Sequence, residues 1–175
     1  MRVSFLTLLL VVAPAAFCQT APAPSGDSVT ATPLPASVET RTEAEQAVAE
    51  IIAQEGIHVV RFWAPWCHNS MNELRAGLYE IIDQHPDVTF TFVTVRNDGE
   101  DGQSTLDRFG IPDRVTILAE QNRDPLTFLG LPITWTPTTW IFNREGKLAY
   151  AFNYGEVTPA LLTQAIADAD HHWHD

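Results

Sequence analysis

The sequence predicts one α/β domain with a central mixed sheet flanked by helices, because it combines two kinds of strand pair. Apolar runs and helical spacing predict a strand at 58–64, a helix at 67–85 and a second strand at 88–95. A unit of this kind joins two parallel strands by a right-handed crossover. Residues 138–152 contain two strand-like segments around a turn at 144–147, which predicts an antiparallel hairpin in the same domain.

Capping residues and apolar spacing predict the remaining elements in chain order. A capping box at Thr42 begins a first helix that Gly56 ends, and the spacing after Cys67 predicts one unbroken helix as far as His85. A polar loop, 96–103, follows the second strand. The other predicted elements are a short helix at 104–109, a short strand at 114–118, a helix beginning at Asp124-Pro125, and a last helix beginning at Thr158-Pro159 with Leu161, Leu162, Ala165 and Ile166 facing inward.

Length and charge restrict the classes of function. A chain of 175 residues is long enough for one domain with a sizeable core. It carries 10 Lys and Arg against 22 Asp and Glu, a formal net charge of −12. An excess of negative charge repels phosphate backbones, so the composition argues against nucleic acid as a partner.

Residues 1–18 have the features of a secretory signal peptide. A positively charged start precedes an apolar core at 5–13, which is too short for a permanent membrane span, and small residues precede the end of the segment. We predict cleavage after Cys18, export to a periplasm or a similar compartment, and no stable membrane insertion afterwards. Cys18 also permits a lipoprotein anchor, but Phe17 is larger than the residue that usually precedes a lipidated cysteine.

The segment between the signal peptide and the domain is predicted to be a linker. Residues 19–39 are rich in alanine and proline and lack apolar periodicity, which is typical of a flexible segment ahead of a domain at 40–170. Cleavage after position 18 leaves Cys67 as the only cysteine of the mature chain. In an oxidising compartment a single thiol forms no internal disulfide, so Cys67 is either an inert buried residue or a group that reacts with another molecule.

Three segments, in order along the chain, carry a resemblance to a known family. The first is 62–67 (Phe-Trp-Ala-Pro-Trp-Cys), the second is Glu73, and the third is 136–147, which begins Thr-Pro-Thr-Thr. Together they resemble the thioredoxin superfamily, most nearly its exported TlpA-like and ResA-like members. The resemblance covers about residues 42–170 and implies the thioredoxin-like fold, with thiol-disulfide exchange as the activity.

The chain departs from the family pattern at several positions, including Ser70, Arg61 and Arg75 and the pair His68 and Asn69. Ser70 stands where the second cysteine of the motif is expected, so the motif reads Cys-His-Asn-Ser. A hydroxyl cannot resolve a mixed disulfide, although it can donate a hydrogen bond to the Cys67 sulfur. Arg61 replaces a buried acid, and either it points towards the motif and favours a thiolate or it extends to solvent. Arg75 replaces a proline that commonly kinks the active-site helix, which predicts a straighter helix.

The residues around Cys67 indicate how a single thiol would react. A cysteine at a helix N-terminus lies near unpaired N–H groups and the positive end of the helix dipole, and both favour the reactive thiolate. The resemblance implies that Pro137 is cis and lies beside the sulfur, and that the backbone of Thr136 pairs with a substrate chain. Trp66 is predicted to form an exposed apolar rim for a client. A charged His68 would stabilise the anion further.

Two hypotheses of different classes follow. In the first, Cys67, Ser70 and Pro137 form the catalytic group of a monothiol protein, with Trp66, His68 and Thr136 binding client thiols, client disulfides or small thiols, and with no cofactor. In the second, the domain is redox-inactive and binds peptides on the same surface. The first hypothesis makes the protein an enzyme and the second does not, and the sequence leaves both open. A weaker third hypothesis is metal handling by Cys67, His68 and the His-rich tail at 171–175, which is more simply a solvated segment.

Overall fold

The computed structural model describes residues 41–124, 126–155 and 157–171. The predicted signal peptide and linker, and the tail after His171, lie outside them. In chain order the elements are α1 (Glu43–Ile52), β1 (His58–Trp63), α2 (His68–Arg75), α3 (Leu78–Gln84), β2 (Thr89–Thr94), α4 (Gln103–Arg108), β3 (Thr116–Ala119), β4 (Thr127–Phe128), β5 (Leu131–Pro132), β6 (Thr138–Phe142), β7 (Leu148–Asn153) and α5 (Pro159–His171). Among these described helices, none combines the length and the hydropathy that crossing a bilayer requires.

The predicted mixed sheet is confirmed. Five strands lie in the order β3-β2-β1-β6-β7, and β4 and β5 form a separate pair. The strand β1 pairs in parallel with β2, which pairs in parallel with β3. On its other side β1 pairs antiparallel with β6, which forms the predicted hairpin with β7. Every residue of β1 and of β6 is buried, so the two strands nearest the candidate site lie at the centre of the sheet.

The hydrophobic core has one cluster on each face of the sheet, and neighbouring residues of β1 belong to different clusters. Trp63 lies in one, with its ring edge-to-face against Phe92 at 6.2 Å between centroids. Phe62 lies in the other, with its ring centroid 4.9 Å from that of Phe128 and 4.6 Å from that of Trp140. Because successive side chains of a strand point to opposite faces, the end of β1 is anchored in both clusters. The strand that leads towards Cys67 is therefore packed on both faces of the sheet.

The first helix begins as the sequence predicts. The Thr42 hydroxyl accepts a hydrogen bond from the Glu45 N–H at 3.2 Å, and the Glu45 carboxylate accepts one from the Thr42 N–H at 3.0 Å, which completes the capping box. The helix ends at Ile52, before the predicted end at Gly56. Glu45 is buried and also accepts the N–H of Leu129 at 2.8 Å, so it connects α1 to the β4–β5 hairpin.

The prediction of one unbroken helix from Cys67 to His85 is wrong. The helix ends at Arg75, and a second helix begins at Leu78, after Gly77 with φ 91°. A left-handed residue interrupts the helical hydrogen bonds, and glycine adopts that conformation without a steric penalty. The straight helix predicted from the arginine at position 75 is wrong for the same reason. The apolar spacing continues across the break because Leu74 and Leu78 both pack into the cluster that contains Trp63.

The helix predicted to begin at Asp124 is also absent from the described chain. Residues 127–132 form the β4–β5 hairpin instead, while Pro125 lies outside the described residues. Leu129 and Gly130 both have positive φ, 48° and 77°, which is typical of a two-residue hairpin turn. In the last helix, Leu162, Ala165 and Ile166 are buried as predicted, but Leu161 is 40% exposed.

Candidate active site

Cys67 is the first feature of the candidate site, and it lies where the sequence predicts, at the start of α2. It is the N-cap residue, with extended backbone angles of φ −78° and ψ 118°. Its N–H donates to the carbonyl of Ala64 at 3.0 Å, and its own carbonyl accepts the N–H of Met71 at 3.0 Å. Its thiol is free and partly exposed. The end of β1 and the first turn of α2 thus fix the backbone on both sides of the sulfur.

The peptide bond between Thr136 and Pro137 lies beside this thiol and is cis, as the resemblance implies. The Cys67 S–H donates to the main-chain carbonyl of Thr136 over a sulfur–oxygen distance of 3.2 Å. The carbonyl of Pro137 accepts the N–H of Tyr154 at 2.7 Å, which ties the segment to the end of β7. Because β6 is the neighbour of β1 in the sheet, the start of β6 meets the start of α2.

Ser70 lies in the interior of the domain rather than on its surface. Its side chain is fully buried, and its hydroxyl oxygen accepts the N–H of Ala64 at 3.4 Å. Both its hydroxyl and its N–H favour the anionic form of Cys67. These effects on the pKa are in line with the hydrogen bond to the Cys67 sulfur that the sequence analysis expects of a hydroxyl at this position.

The pKa of Cys67 reflects opposing influences. Partial burial is the largest of them and raises the pKa of the thiol. The side chain of Thr136, the hydroxyl and N–H of Ser70, and the N–H of Asn69 outweigh burial, so the pKa lies below its ordinary value. The Cys67 side chain forms no capping hydrogen bond with the helix. The N–H groups of Ser70 and Asn69 therefore lower the pKa by favouring the negative charge of the thiolate. The Thr136 residue acts both ways, since its carbonyl accepts the S–H while its side chain favours the thiolate.

The tryptophans before the thiol have different roles. Trp63 is 1% exposed and belongs to the core, whereas Trp66 is 61% exposed and stands at the rim of the site. The indole N–H of Trp66 donates to the carbonyl of Arg96 at 2.8 Å, so the exposed ring is held in place. His68 is exposed on the first turn of α2. The structure thus brings Cys67, Ser70, Thr136 and Pro137 together, with Trp66 and His68 at the edge.

Three residues near the site are missed by the sequence analysis. Trp135 and Tyr154 are 56% and 57% exposed, and their ring centroids are 5.5 Å apart beside the cis bond. Trp135 directly precedes Thr136, so its position in the sequence was a usable signal. Tyr154 and Arg96 carry no such signal, because folding brings them to the site from distant parts of the chain.

Arg61 takes neither of the positions considered in the sequence analysis. It is 2% exposed and forms an ion pair with Glu73 of α2, while its Nη1 donates to the Thr139 hydroxyl at 2.9 Å. It therefore neither reaches solvent nor contacts the thiol. Burial lowers the pKa of Arg61 to about 9, which leaves the guanidinium charged at neutral pH.

The part of the chain that the structure describes contains no candidate metal site. Across residues 41–124, 126–155 and 157–171, no three His, Cys, Asp or Glu residues are grouped so that they could hold an ion. The side chain of His171 is 71% exposed at the end of α5. The other tail histidines, His172 and His174, lie outside the described residues.

Comparisons with known proteins agree with this architecture. No protein-family model matches the sequence, and no curated protein is similar enough to it to count as a match. A secreted thiol-disulfide isomerase from Corynebacterium glutamicum superposes with a TM-score of 0.56 at 18% identity, over 70% of this chain and 74% of that one. A DsbF homologue from Corynebacterium diphtheriae gives 0.55 at 22% identity, over 69% and 75%. A secreted Mycobacterium tuberculosis disulfide oxidoreductase, homologous to E. coli DsbE, gives 0.53 at 21%, over 66% and 83%.

These likenesses, together with the sheet order and the cis-proline beside a helix-capping cysteine, show that the chain has the thioredoxin fold.

Proposed function

We propose that this chain is an exported thiol-disulfide exchange protein of the monothiol type, in which Cys67 forms mixed disulfides with client proteins or small thiols. The observation that carries the proposal is the partly exposed Cys67 thiol at the start of α2, with a lowered pKa. A thiolate attacks sulfur far better than a thiol does, so this environment supports nucleophilic work. The solved structures described above as a disulfide oxidoreductase and a thiol-disulfide isomerase support the same class of chemistry.

The proposed reaction has two steps. In the first, the Cys67 thiolate attacks one sulfur of a client disulfide; the Cys67–client S–S bond forms, the client S–S bond breaks, and the departing sulfur leaves as a thiolate that takes a proton from solvent. In the second, another thiolate attacks the client sulfur of the mixed disulfide and releases Cys67. If that thiolate belongs to the client, its disulfides are rearranged without net oxidation. If it belongs to a small thiol, the client is left joined to that small thiol.

The neighbouring residues have distinct roles in this scheme. Ser70 donates its hydroxyl hydrogen to the Cys67 anion, and because a serine oxygen is not oxidised it does not break the mixed disulfide. When the thiol ionises, the Thr136 carbonyl loses the S–H that it accepts at 3.2 Å. A backbone N–H of the client can then replace that donor, as in the addition of a strand beside Pro137. Trp66 and His68 line the edge over which the client approaches.

Export is part of the proposal. We place a cleaved signal peptide at 1–18, a linker at 19–39, the thioredoxin-like domain at 40–170 and a His-rich tail at 171–175. Two of the solved structures are of secreted proteins, which supports export. Intact-mass measurement of the exported protein tests the cleavage site: a mass that still includes residues 1–18, or that carries an acyl chain on Cys18, would contradict cleavage after Cys18.

The central test is trapping of the mixed disulfide. We expect the purified mature protein to form a one-to-one mixed disulfide with glutathione disulfide and with a peptide disulfide, measured by intact mass, and to show little or no turnover in insulin reduction. Cys67→Ala should abolish the adduct, whereas Asn72→Ala, a change on the same helix, should leave it intact. Efficient insulin turnover by the wild type would contradict the monothiol mechanism. A wild-type protein that forms no adduct would instead leave the peptide-binding alternative.

A further inference from the structure

Arg96, in the loop after β2, contacts two groups beside Cys67, which we call the walls of the site: one is Trp66, and the other is the 133–136 segment. Its main-chain carbonyl accepts the indole N–H of Trp66 at 2.8 Å. Its guanidinium donates from Nη2 to the carbonyl of Ile133 at 3.1 Å and from Nη1 to the carbonyl of Thr134 at 3.2 Å. One residue therefore connects the tryptophan that precedes Cys67 to the segment that leads into Thr136.

The backbone of Arg96 is in the left-handed region, with φ 53°. A residue with a long side chain rarely adopts that conformation, because its Cβ lies too close to the following carbonyl. Such a residue keeps this conformation only where surrounding contacts hold it. For Arg96 those contacts are the three hydrogen bonds to the two walls. The left-handed backbone and the hydrogen bonds therefore depend on each other.

Both ends of the bridge adjoin the groups that control the thiol. Trp66 is covalently joined to Cys67, and Thr134 is two residues before Thr136. The Thr136 carbonyl lies 3.2 Å from the sulfur, and the Thr136 side chain favours the thiolate. A shift of the 133–136 segment would move the Thr136 side chain, which favours the thiolate, away from the sulfur. The carbonyl contact, which favours the neutral thiol, would lengthen as well, and we expect the side chain to have the larger effect because it is first among the groups that lower the pKa of Cys67.

We propose that Arg96 is a positioning residue for the exchange reaction: it joins Trp66 to the 133–136 segment and so holds both in place beside the Cys67 sulfur. The inference rests on the proposed function, because it assigns a role in that reaction. Arginine suits the task, since its planar fork reaches two carbonyl oxygens at once, whereas lysine presents one compact charge.

The chain offers two informative variants and a matched control. Arg96→Gly deletes the guanidinium while glycine tolerates the left-handed backbone that presents the carbonyl to Trp66. Arg96→Lys keeps the positive charge but not the fork. Arg75→Ala removes an exposed arginine of α2 whose guanidinium donates to Asn72 of the same helix at 3.2 Å.

The test is the rate of Cys67 alkylation by iodoacetamide between about pH 4 and pH 10, with near-ultraviolet circular dichroism to show that each variant is folded. Arg96→Gly and Arg96→Lys should raise the thiol pKa by about half a unit to one unit, which slows alkylation about three- to tenfold at about pH 6, because each unit changes the thiolate fraction tenfold. The limiting rate at high pH should stay within about twofold of wild type. Arg75→Ala should match wild type throughout.

Three results would overturn the inference: a folded Arg96→Gly with the wild-type pH profile, an Arg96→Lys that retains that profile through charge alone, or an equal shift in Arg75→Ala. If Arg96→Gly fails to fold, the Arg96→Lys profile decides. Alkylation requires no client, so the outcome is separable from that of the proposed function. A wild-type thiol that ionises at low pH but exchanges with no disulfide would contradict the proposed function alone.

Discussion

The two ends of α2 place ionisable groups in different environments. At its start, the thiol of Cys67 is partly exposed, and its anion is favoured by hydrogen-bond donors, chiefly from Thr136 and Ser70. Towards its end, Glu73 forms an ion pair with Arg61, and the side chains are 14% and 3% exposed. One charge is thus supported by neutral dipoles with access to solvent, while the other is cancelled by a permanent partner in the core.

This difference follows from what each group must do. A nucleophile has to keep its charge available, so its environment must stabilise the anion without neutralising it or blocking approach. A buried carboxylate that takes no part in exchange is tolerable only with a compensating cation, because an isolated buried charge is very costly. Arg61 and Cys67 both belong to the segment that begins with β1, so one strand supplies the cation for the buried pair and leads into the reactive thiol.

The largest predicted effect comes from breaking the buried pair. Arg61→Met leaves the mostly buried Glu73 carboxylate without its partner and should lower the free energy of unfolding, by at most about 3–5 kcal/mol because the Glu73 side chain is 14% exposed. The double variant Arg61→Met/Glu73→Leu removes both charges and should recover most of that loss. Urea unfolding measures the loss, with the curves of all variants fitted to one shared m-value. As a control, Arg144→Met removes an exposed arginine paired with Asp170 and should have a far smaller effect. A double variant as unstable as Arg61→Met would show that lost packing, not uncompensated charge, is responsible.

Local patterns were enough to predict the framework that carries Cys67. The capping box at Thr42, the buried strand β1 and the β6–β7 hairpin each depend on neighbouring residues, and the structure contains all three. The exposed Trp66 and the cis bond before Pro137 also agree with expectation. The resemblance supplied the cis bond, since propensity alone favours trans.

The features that sequence reasoning missed depend on three-dimensional neighbours. Apolar spacing continued through Gly77, because two separate helices pack on the same cluster, so periodicity alone could not show the break. Whether Arg61 reached the thiol, solvent or Glu73 depended on how α2 lies over β1. Arg96 adjoins the site only because a loop after β2 meets the segment before β6.

A smaller effect is expected from changing the hydrogen bonds at the start of α2. Ser70→Ala deletes a fully buried hydroxyl that favours the thiolate, and hydrogen bonds to charged groups contribute about 1.5–3 kcal/mol, so the pKa of Cys67 should rise by about one to two units. Thiolate absorbance in the ultraviolet, titrated against pH, measures it. Asn72→Ala, on an exposed face of the same helix, should leave the titration unchanged. An unshifted pKa in Ser70→Ala would mean that the N–H groups and Thr136 suffice. Ser70→Cys should close a disulfide within the motif.

The smallest predicted effect is on the pH dependence of stability. It distinguishes the titration of the Cys67 thiol from that of the Arg61–Glu73 pair. The folded pKa of Cys67 lies below the unfolded value of about 8.5, so the unfolded chain holds the proton up to higher pH. The resulting stabilisation is fully present above about pH 8.5 and is lost as pH falls through the folded pKa. Arg61 is almost fully charged in both states up to about pH 8, because even its lowered pKa is about 9. Titration below about pH 8 therefore belongs to the thiol rather than to the buried pair.

The difference in unfolding free energy between wild type and Cys67→Ala isolates this contribution, since groups common to both proteins cancel. His58, whose pKa burial lowers, destabilises both proteins equally as pH falls below about 6.5. Measured by urea unfolding under reducing conditions, the difference should be constant at low pH and rise towards about pH 8.5 by about 1 kcal/mol, because water screens a partly exposed sulfur. A flat difference would mean that the pKa is not lowered. A difference that shrinks with rising pH would mean that burial outweighs the hydrogen bonds, and Cys67 would then be an inert thiol.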